Sequence, residues 1–425
     1  MKDGDSLGDL SDKKFGLVGH SLSYSYGLYI NSLIGNYEYK LYDIEPNNLQ
    51  AFLKTTEHKA LSIASPYKKI AYDLSTAVSG SAIKSHYVNF ITKDEDGTIK
   101  GYNTDYDAFK ALLKKHSVDV KGKKILILGT GGTANAARVA LNEDGAAKVV
   151  LVSRHGPNNY DNLSVHYDSD IVINATPVGM YPNNGISPVD LEGFKTITHV
   201  IDFVYNPIRT AFMQQAMERN IRAISGLYIL AASSVYQAQI FLDEQFDSSL
   251  IDTIKKKLLV DKRNITLIGM PGSGKSNIGR TLAQTLERSY IDIDHEIEKA
   301  EMMSVSDIFS TRGEAYFREA ERNVTLKFCK ESGYIISTGG GAVLSKENRN
   351  AIKENSFVVY IERNISDLYT DGRPVSTSIE NLQRISEIRT PIYEGLADTI
   401  IRAHSSVDAN VSMVLEALKN ENVNY

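Results

Sequence analysis

One cysteine in 425 residues, Cys329, is the first scarcity in the sequence, and it excludes an internal disulfide. Such a chain fits a reducing compartment. Charge of one sign is lacking too. The formal net charge is −5 and no basic block occurs, so nothing points to nucleic acid as a partner. No uninterrupted apolar run approaches the ~20 residues of a membrane span. The segment Met1 to Lys14 is polar and rich in Gly, Asp and Ser, unlike a signal peptide. No internal repeat is visible. What is present is the balance of a globular protein, 42% hydrophobic and 23% charged. At ~100–200 residues per domain, the length implies two or three domains. The expectation is a soluble, cytoplasmic protein.

The chain is organised around Gly269-Met270-Pro271-Gly272-Ser273-Gly274-Lys275-Ser276, which fits the spacing G-x-x-x-x-G-K-S/T. An apolar run of strand type, Asn264 to Ile268, precedes it, and Ile278, Leu282 and Leu286 follow at helical spacing. Strand, Gly-rich loop and helix in this order make a phosphate cradle. Loop N–H groups and the helix N-terminus face the anion. The pattern puts Lys275 on the β- and γ-phosphates and the Ser276 hydroxyl on Mg²⁺. Downstream, Ser289 to Asp294 reads as a strand whose period of two sets Asp292 and Asp294 on one side. One carboxylate is then placed for Mg²⁺ and the other for a substrate hydroxyl, although Asp294 would serve equally as a helix cap. Arg318 and Glu321 are three apart, a spacing at which a salt bridge orients the guanidinium. Ile335 to Gly341 is a strand entering a triple glycine, where backbone must approach something closely. Thr370 to Val375 reads as a lid carrying Arg373 to the phosphates. Arg389-Thr390-Pro391-Ile392-Tyr393 comes from the last-but-one helix, and Thr399 to Arg402 closes the sheet.

The upstream residues are of another kind. A strand Phe15 to Gly19 leads to His20-Ser21-Leu22-Ser23, where extended chain would aim both serine hydroxyls at one carboxylate. Leu61 to Ser65 reads as a strand ending at Pro66-Tyr67-Lys68, and Lys68 alone would pass for a surface lysine. Asn103-Thr104-Asp105 stands at a helix start, where such residues most often serve as caps. Then comes a βαβ unit. Its strand Lys124 to Leu128 runs into Gly129-Thr130-Gly131-Gly132-Thr133-Ala134, which opens a helix ahead of the strand Lys148 to Val152. Gly129, Gly131 and Ala134 occupy the positions of a dinucleotide fingerprint. The acid that would hold a ribose 2′-OH is replaced by Ser153-Arg154-His155, and a guanidinium there favours NADP over NAD. A Rossmann-like shell without its ligand is the competing reading. Ala175 to Met180 forms a further loop at a strand's carboxyl end. Asp247 to Arg263, with Lys255 to Lys257, reads as a helical linker whose lysines form a solvated face.

From Lys262 to about Leu418 these motifs together resemble shikimate kinase. By that resemblance Asp294, Arg318, Gly340 and Arg389 bind shikimate, the arginines at its carboxylate. Asp294 takes the hydroxyls and is placed to draw the proton from the attacking one. Gly272, Ser273, Gly274, Lys275 and Ser276 bind ATP, Ser276 and Asp292 serve Mg²⁺, and Arg373 meets the transferring phosphoryl. The arginine that usually packs on adenine is missing from Leu368-Tyr369-Thr370. From Lys14 to about Phe246 the chain resembles shikimate dehydrogenase, through H-S-x-S at His20, Pro66-Tyr67-Lys68, G-x-N-T-D at Gly101 to Asp105, the glycine-rich loop and A-T-P-x-G-M. That family implies Lys68 and Asp105 as the catalytic pair and Ser21 and Ser23 on the substrate carboxylate. NADP(H) is then held at Gly129, Gly131, Gly132, Ala134, Ser153 and Arg154. Several positions depart from the pattern. Ser62-Ile63-Ala64 replaces N-V-T, Lys84 is read in place of the asparagine of A-V-N-T, Ser233 replaces a glutamine, and Tyr24 replaces a proline. Each lost polar contact costs about 1–3 kcal/mol where a partner stays unpaired. Lys84, as a second cation near Lys68, would also lower that lysine's pKa.

The implied architecture is α/β throughout. A substrate domain (1–100, with a returning helix 226–246) precedes a Rossmann NADP domain (101–225), a linker (247–261) and a P-loop kinase with a parallel sheet (262–425). The implied function is NADPH-dependent reduction of 3-dehydroshikimate followed by ATP–Mg²⁺-dependent phosphorylation of shikimate. Two alternatives stand beside it for residues 1–246: a binding or regulatory module without turnover, and a dehydrogenase shifted to a relative such as quinate.

Overall fold

The computed structural model describes residues 14–22, 24–368 and 379–421. Contacts divide the chain into two units. The first comprises Met1–Pro177, Pro188–Tyr205 and Gln215–Lys256, and the second comprises Val178–Ser187, Asn206–Gln214 and Lys257–Tyr425.

The first unit holds two sheets. One is mixed and runs in the order Glu38–Asp43, Lys14–Gly19, Ala60–Ile63, Phe90–Lys93, Ile99–Tyr102, Ala77–Val78. Its hairpin, Phe90–Lys93 against Ile99–Tyr102, is antiparallel across the turn at Asp96-Gly97. The other sheet is parallel, in the order Arg222–Ser225, His199–Asp202, Ile171–Asn174, Lys124–Leu128, Lys148–Val152. Its strand Lys124–Leu128 has four consecutive buried apolar residues, as a strand covered on both faces requires. The helix Gly132–Glu143 buries Ala134, Ala136, Ala137 and Ala140, small side chains that let it lie close to the sheet. The returning helix spans Leu227–Leu242 and is buried on most of its circumference. It packs on the helices Thr104–Lys115 and Gly27–Ile34, and Phe241 reaches Phe15 of the mixed sheet at 5.0 Å. The expected linker is the helix Ser249–Lys262. Lys256 and Lys257 are exposed there, but Lys255 is partly buried, and burial holds its ammonium below the ordinary lysine value.

The second unit is built on one parallel sheet in the order Tyr290–Asp292, Ile335–Ser337, Asn264–Ile268, Ser356–Glu362, Thr399–Arg402. The central strand Asn264–Ile268 is buried at all five positions, and the P-loop leaves its carboxyl end. A strand through Asp294 does not form. The strand stops at Asp292, and Asp294 lies in the first turn of the helix Ile293–Glu301. An acidic residue is favoured there by the helix dipole, which outweighs the alternation read from the sequence.

Within the second unit the carboxyl of Glu354, only 3% exposed, accepts a hydrogen bond from the Gly185 N–H at 2.8 Å. Burial pushes its pKa from 4.5 up to about 7. A carboxyl whose folded pKa is raised favours the native state below the unfolded pKa and loses that advantage as pH rises through the folded pKa. The parent protein is therefore expected to lose thermal stability between pH 5 and pH 8. Glu354→Gln should flatten that dependence, by on the order of 3 kcal/mol at most. Parallel pH slopes for the two proteins in thermal unfolding would rule this out.

Candidate active sites

In the first unit the side chains converge where the mixed sheet meets the glycine-rich turn. Lys68 is the first residue of the helix Lys68–Leu74, and Asp105 the second of Thr104–Lys115, whose N-cap Asn103 accepts from the Tyr106 N–H. The Lys68 ammonium donates to Asp105 Oδ2 at 2.6 Å, and the two side chains are 14% and 13% exposed. The other carboxylate oxygen, Oδ1, accepts from Asn89 Nδ2 at 2.7 Å and from Ser233 Oγ at 3.3 Å. Behind these lies a buried polar network. Gln237 donates to Thr104 Oγ1 at 3.1 Å and Ser233 Oγ at 3.3 Å and accepts from Ser62 Oγ. A charge at this depth is tolerated because each of its neighbours is hydrogen-bonded.

Of the departures from the family pattern, Lys84 stands away from the site and Ser233 stays within it. The amide beside Asp105, at the place read from the sequence as Lys84, belongs to Asn89 in Tyr87-Val88-Asn89-Phe90. Lys84 is half exposed and its ammonium pairs with Glu143, so its charge is met there and is not turned on Lys68. One helical turn after Ser233 stands the amide of Gln237, which donates to Ser233 Oγ within the buried network. Both were hidden because Y-V-N-F lacks the flanking threonine, and because a glutamine four residues on lies on the same helix face only once the helix exists. Ser21 is not extended. Its φ is +60°, and its N–H and that of Leu22 donate to the Asp43 carboxylate, which pins the turn. Ser23 lies outside the described residues.

The glycine-rich turn faces this pair. Gly129 has φ +114°, and a side chain on it would begin 2.9 Å from the Ala175 carbonyl oxygen. A side chain at Gly131, the N-cap of Gly132–Glu143, would meet nothing within 4 Å. That open face before a helix N-terminus fits a diphosphate. Ala134 is fully buried, Ser153 Oγ donates to the His155 carbonyl at 2.8 Å, and Arg154 is exposed at the end of Lys148–Val152.

In the second unit the P-loop glycines Gly269, Gly272 and Gly274 all take positive φ (143°, 83° and 97°). Beside the loop is a cavity of about 650 Å³, into which Lys275, Ser276, Asp292, Asp294, Arg318 and Arg389 all project. Lys275 is buried and donates to the Gly269 and Met270 carbonyls at 2.9 Å, while Ser273 is buried in the loop. Ser276 Oγ and the Tyr290 hydroxyl both donate to Asp292 Oδ2 at 2.9 Å. This hydroxyl and carboxylate are the hard oxygen donors that suit Mg²⁺. Arg318 donates to Glu321 at 2.8 Å and Glu314 at 3.0 Å. Glu321 is 2% exposed, and burial raises its pKa against the pull of Arg318 and Arg389. The triple glycine threads between these groups. A side chain on Gly339 would begin 2.8 Å from both Asp294 Oδ1 and Glu321 Oε1. Gly340 would press on Pro271, and its carbonyl accepts from the Tyr393 hydroxyl. Arg363 also lines the cavity, 3.7 Å from the point where a side chain on Gly274 would start. As a lone arginine after a strand it carries no sequence signal. Arg373 lies outside the described residues.

A family model described as shikimate kinase matches residues 271–419. A shikimate kinase of Pasteurella multocida is 37% identical over 172 residues, 38% of this chain and 98% of that protein. A shikimate dehydrogenase (NADP(+)) of Clostridium perfringens is 30% identical over 267 residues, 58% of this chain and 98% of that protein. The chain belongs to both families. Its shikimate dehydrogenase part is also similar to a solved shikimate dehydrogenase of Peptoclostridium difficile. The identity is 32% and the TM-score 0.55, covering 58% of this chain and 97% of that one. A chorismate mutase/shikimate 5-dehydrogenase fusion of Clostridium acetobutylicum, 31% identical with TM-score 0.54, covers the same shares. The chain is thus a fusion of an oxidoreductase and a transferase family. No helix among the described residues is long and apolar enough to cross a membrane.

The glycine turn of the shikimate kinase part yields a prediction. A side chain on Gly341 would begin 2.3 Å from Arg318 Nη1, the mobile end of a long side chain. Gly341→Ala should therefore displace the guanidinium and leave the fold intact. The expected result is a folded protein with a lowered thermal midpoint, because Glu321 loses its partner, and with kcat/KM for shikimate lowered at least about tenfold, since a charged hydrogen bond contributes roughly 1.5–3 kcal/mol. Unchanged steady-state kinetics would refute the placement of Arg318.

Proposed function

We propose that the chain catalyses two consecutive reactions on one carbon framework. The N-terminal part reduces 3-dehydroshikimate to shikimate with NADPH, and the C-terminal part transfers the γ-phosphoryl of ATP to the 3-hydroxyl of shikimate, with Mg²⁺. The observation that carries the first is the Lys68–Asp105 pair at 2.6 Å beside the glycine-rich turn. The observation that carries the second is the meeting of Asp294, Arg318 and Arg389 with the P-loop in one cavity. We read the dehydrogenase part as residues 1–246, the kinase part as 262–425, and the chain as a cytoplasmic protein with small-molecule substrates.

In the dehydrogenase part, bound NADP(H) supplies or takes the hydride. Lys68 gives a proton to the C3 oxygen in reduction and recovers it in oxidation, while Asp105 keeps the ammonium in place and orients the ring. Ser21 and Ser23 hold the substrate carboxylate. Gly129, Gly131, Gly132 and Ala134 form the diphosphate turn, and Ser153 and Arg154 take the 2′-phosphate. In the kinase part, Arg318 and Arg389 fix the shikimate carboxylate and Gly340 closes on its ring. Asp294 then accepts the proton of the attacking 3-hydroxyl. Gly272 to Ser276 cradle the phosphates, with Lys275 moving from the loop carbonyls to the β- and γ-phosphates and Arg373 meeting the transferred group. Ser276 and Asp292 would hold Mg²⁺, which supplies charge neutralisation at the phosphates.

One observation favours a second reading of the dehydrogenase part. Ala64 offers no hydroxyl where the family pattern has threonine, which suits a binding module without turnover. Absorbance at 340 nm with NADP⁺ and shikimate decides between them. Turnover is expected, and none at high shikimate or high quinate, with binding still visible by calorimetry, would leave only the binding module. Lys68→Ala should lower kcat by about 10²–10⁴-fold, the span of general acid–base catalysis. Arg154→Ala should raise KM for NADP⁺ about ten- to a hundredfold and leave NAD⁺ use unchanged. Lys275→Ala and Arg318→Ala should each abolish ATP-dependent phosphorylation of shikimate in a coupled assay, and full activity in either would contradict the kinase assignment.

A further inference from the structure

The Lys68 ammonium has a second acceptor besides Asp105, and it belongs to the cofactor turn. Lys68 Nζ donates to Thr133 Oγ1 at 3.1 Å. Thr133 is the second residue of the helix Gly132–Glu143, one position after the glycine against which the lysine stem lies. A side chain on Gly132 would begin 3.0 Å from Lys68 Cδ and 3.0 Å from the Tyr87 ring. The lysine stem therefore lies against that glycine, as the Tyr87 ring does, and the lysine head is held between Asp105 and Thr133.

We propose that Thr133 is a positioning residue for Lys68, and that it couples the diphosphate-binding turn to the substrate end of the site. An ammonium has three N–H donors in fixed tetrahedral directions. With two of them on Asp105 Oδ2 and Thr133 Oγ1, rotation about the terminal bond is fixed, and the third has one direction left for a substrate oxygen. A hydroxyl performs this without adding charge beside the pair. Because Thr133 lies in the first turn of the helix that faces the diphosphate, a dinucleotide that orders the turn also orders Thr133, and with it the lysine. The reverse follows from linkage: a substrate that engages Lys68 must tighten the cofactor by the same factor. The sequence offers no hint of this, since Thr133 stands between two fingerprint positions and lies 65 residues from Lys68.

The inference rests on the dehydrogenase reading for its ligands, and the test separates the two. NADPH and shikimate are both reduced and cannot react with each other, so NADPH fluorescence titrations of the full chain, with and without saturating shikimate, measure coupling without turnover. NADPH also reports only on the dehydrogenase part, whatever shikimate the kinase cavity holds. In the parent, shikimate should tighten NADPH about five- to tenfold, the lower end of ordinary coupling. Thr133→Val, which keeps the shape and removes the acceptor, should bring the factor close to one, with NADPH affinity alone within about twofold of the parent. Thr133→Ser should restore it. The valine variant should also lose about tenfold in kcat/KM for shikimate, and its KM for NADP⁺ at saturating shikimate should rise by the coupling factor it has lost. Coupling in the valine variant equal to that of the parent, or absent from the parent, overturns the proposal. Coupling present in the parent without any 340 nm turnover overturns the dehydrogenase reading and leaves the role of Thr133 standing.

Discussion

Lys68 and Asp105 are only 14% and 13% exposed, and at that depth neither charge is stable without the other. This pair sets the demands on everything around it. Its second carboxylate oxygen needs donors, which Asn89 and Ser233 provide. Those donors are themselves buried and need partners, which Thr104 and Gln237 provide, and Ser62 in turn donates to Gln237. The returning helix Leu227–Leu242 brings Ser233 and Gln237 into this network, so the polar cluster dictates how that helix must lie as much as its apolar faces do. The kinase part follows the same rule, with the buried Glu321 beneath the guanidinium of Arg318.

The second constraint is close approach of backbone. At Gly339 and Gly341 the chain passes so near Asp294, Glu321 and Arg318 that a methyl group would meet them. The P-loop is bent by three glycines with positive φ, one of which faces the Ile361 carbonyl. These residues contribute no chemistry of their own. They let charged side chains and main-chain N–H groups crowd a volume of about 650 Å³ that bulkier residues would fill.

The kinase part was largely legible because its chemistry is local in sequence. Loop, glycines and arginines each sit in a short motif, and parallel strands carry their motifs to one edge of the sheet. Asp294 still reached the cavity by a route the alternation did not anticipate, from a helix N-terminus rather than a strand. The dehydrogenase part was legible in its turn and its Lys68 and Asp105 motifs but not in the shell around them. Lys84 drew attention as an odd charge, yet it answers Glu143, 59 residues away. Asn89 and Gln237 looked ordinary, yet both belong to the buried network.

What the sequence by itself determined are features with short-range causes: the glycine positions that backbone geometry requires, the apolar strands, the caps, and the order of the two parts. What only the tertiary structure decided is which polar side chains share a partner. Burial makes each unpaired group costly, so pairing is resolved among residues the fold brings together, such as Ser62 with Gln237 or Lys68 with Thr133, and spacing along the chain carries no record of it.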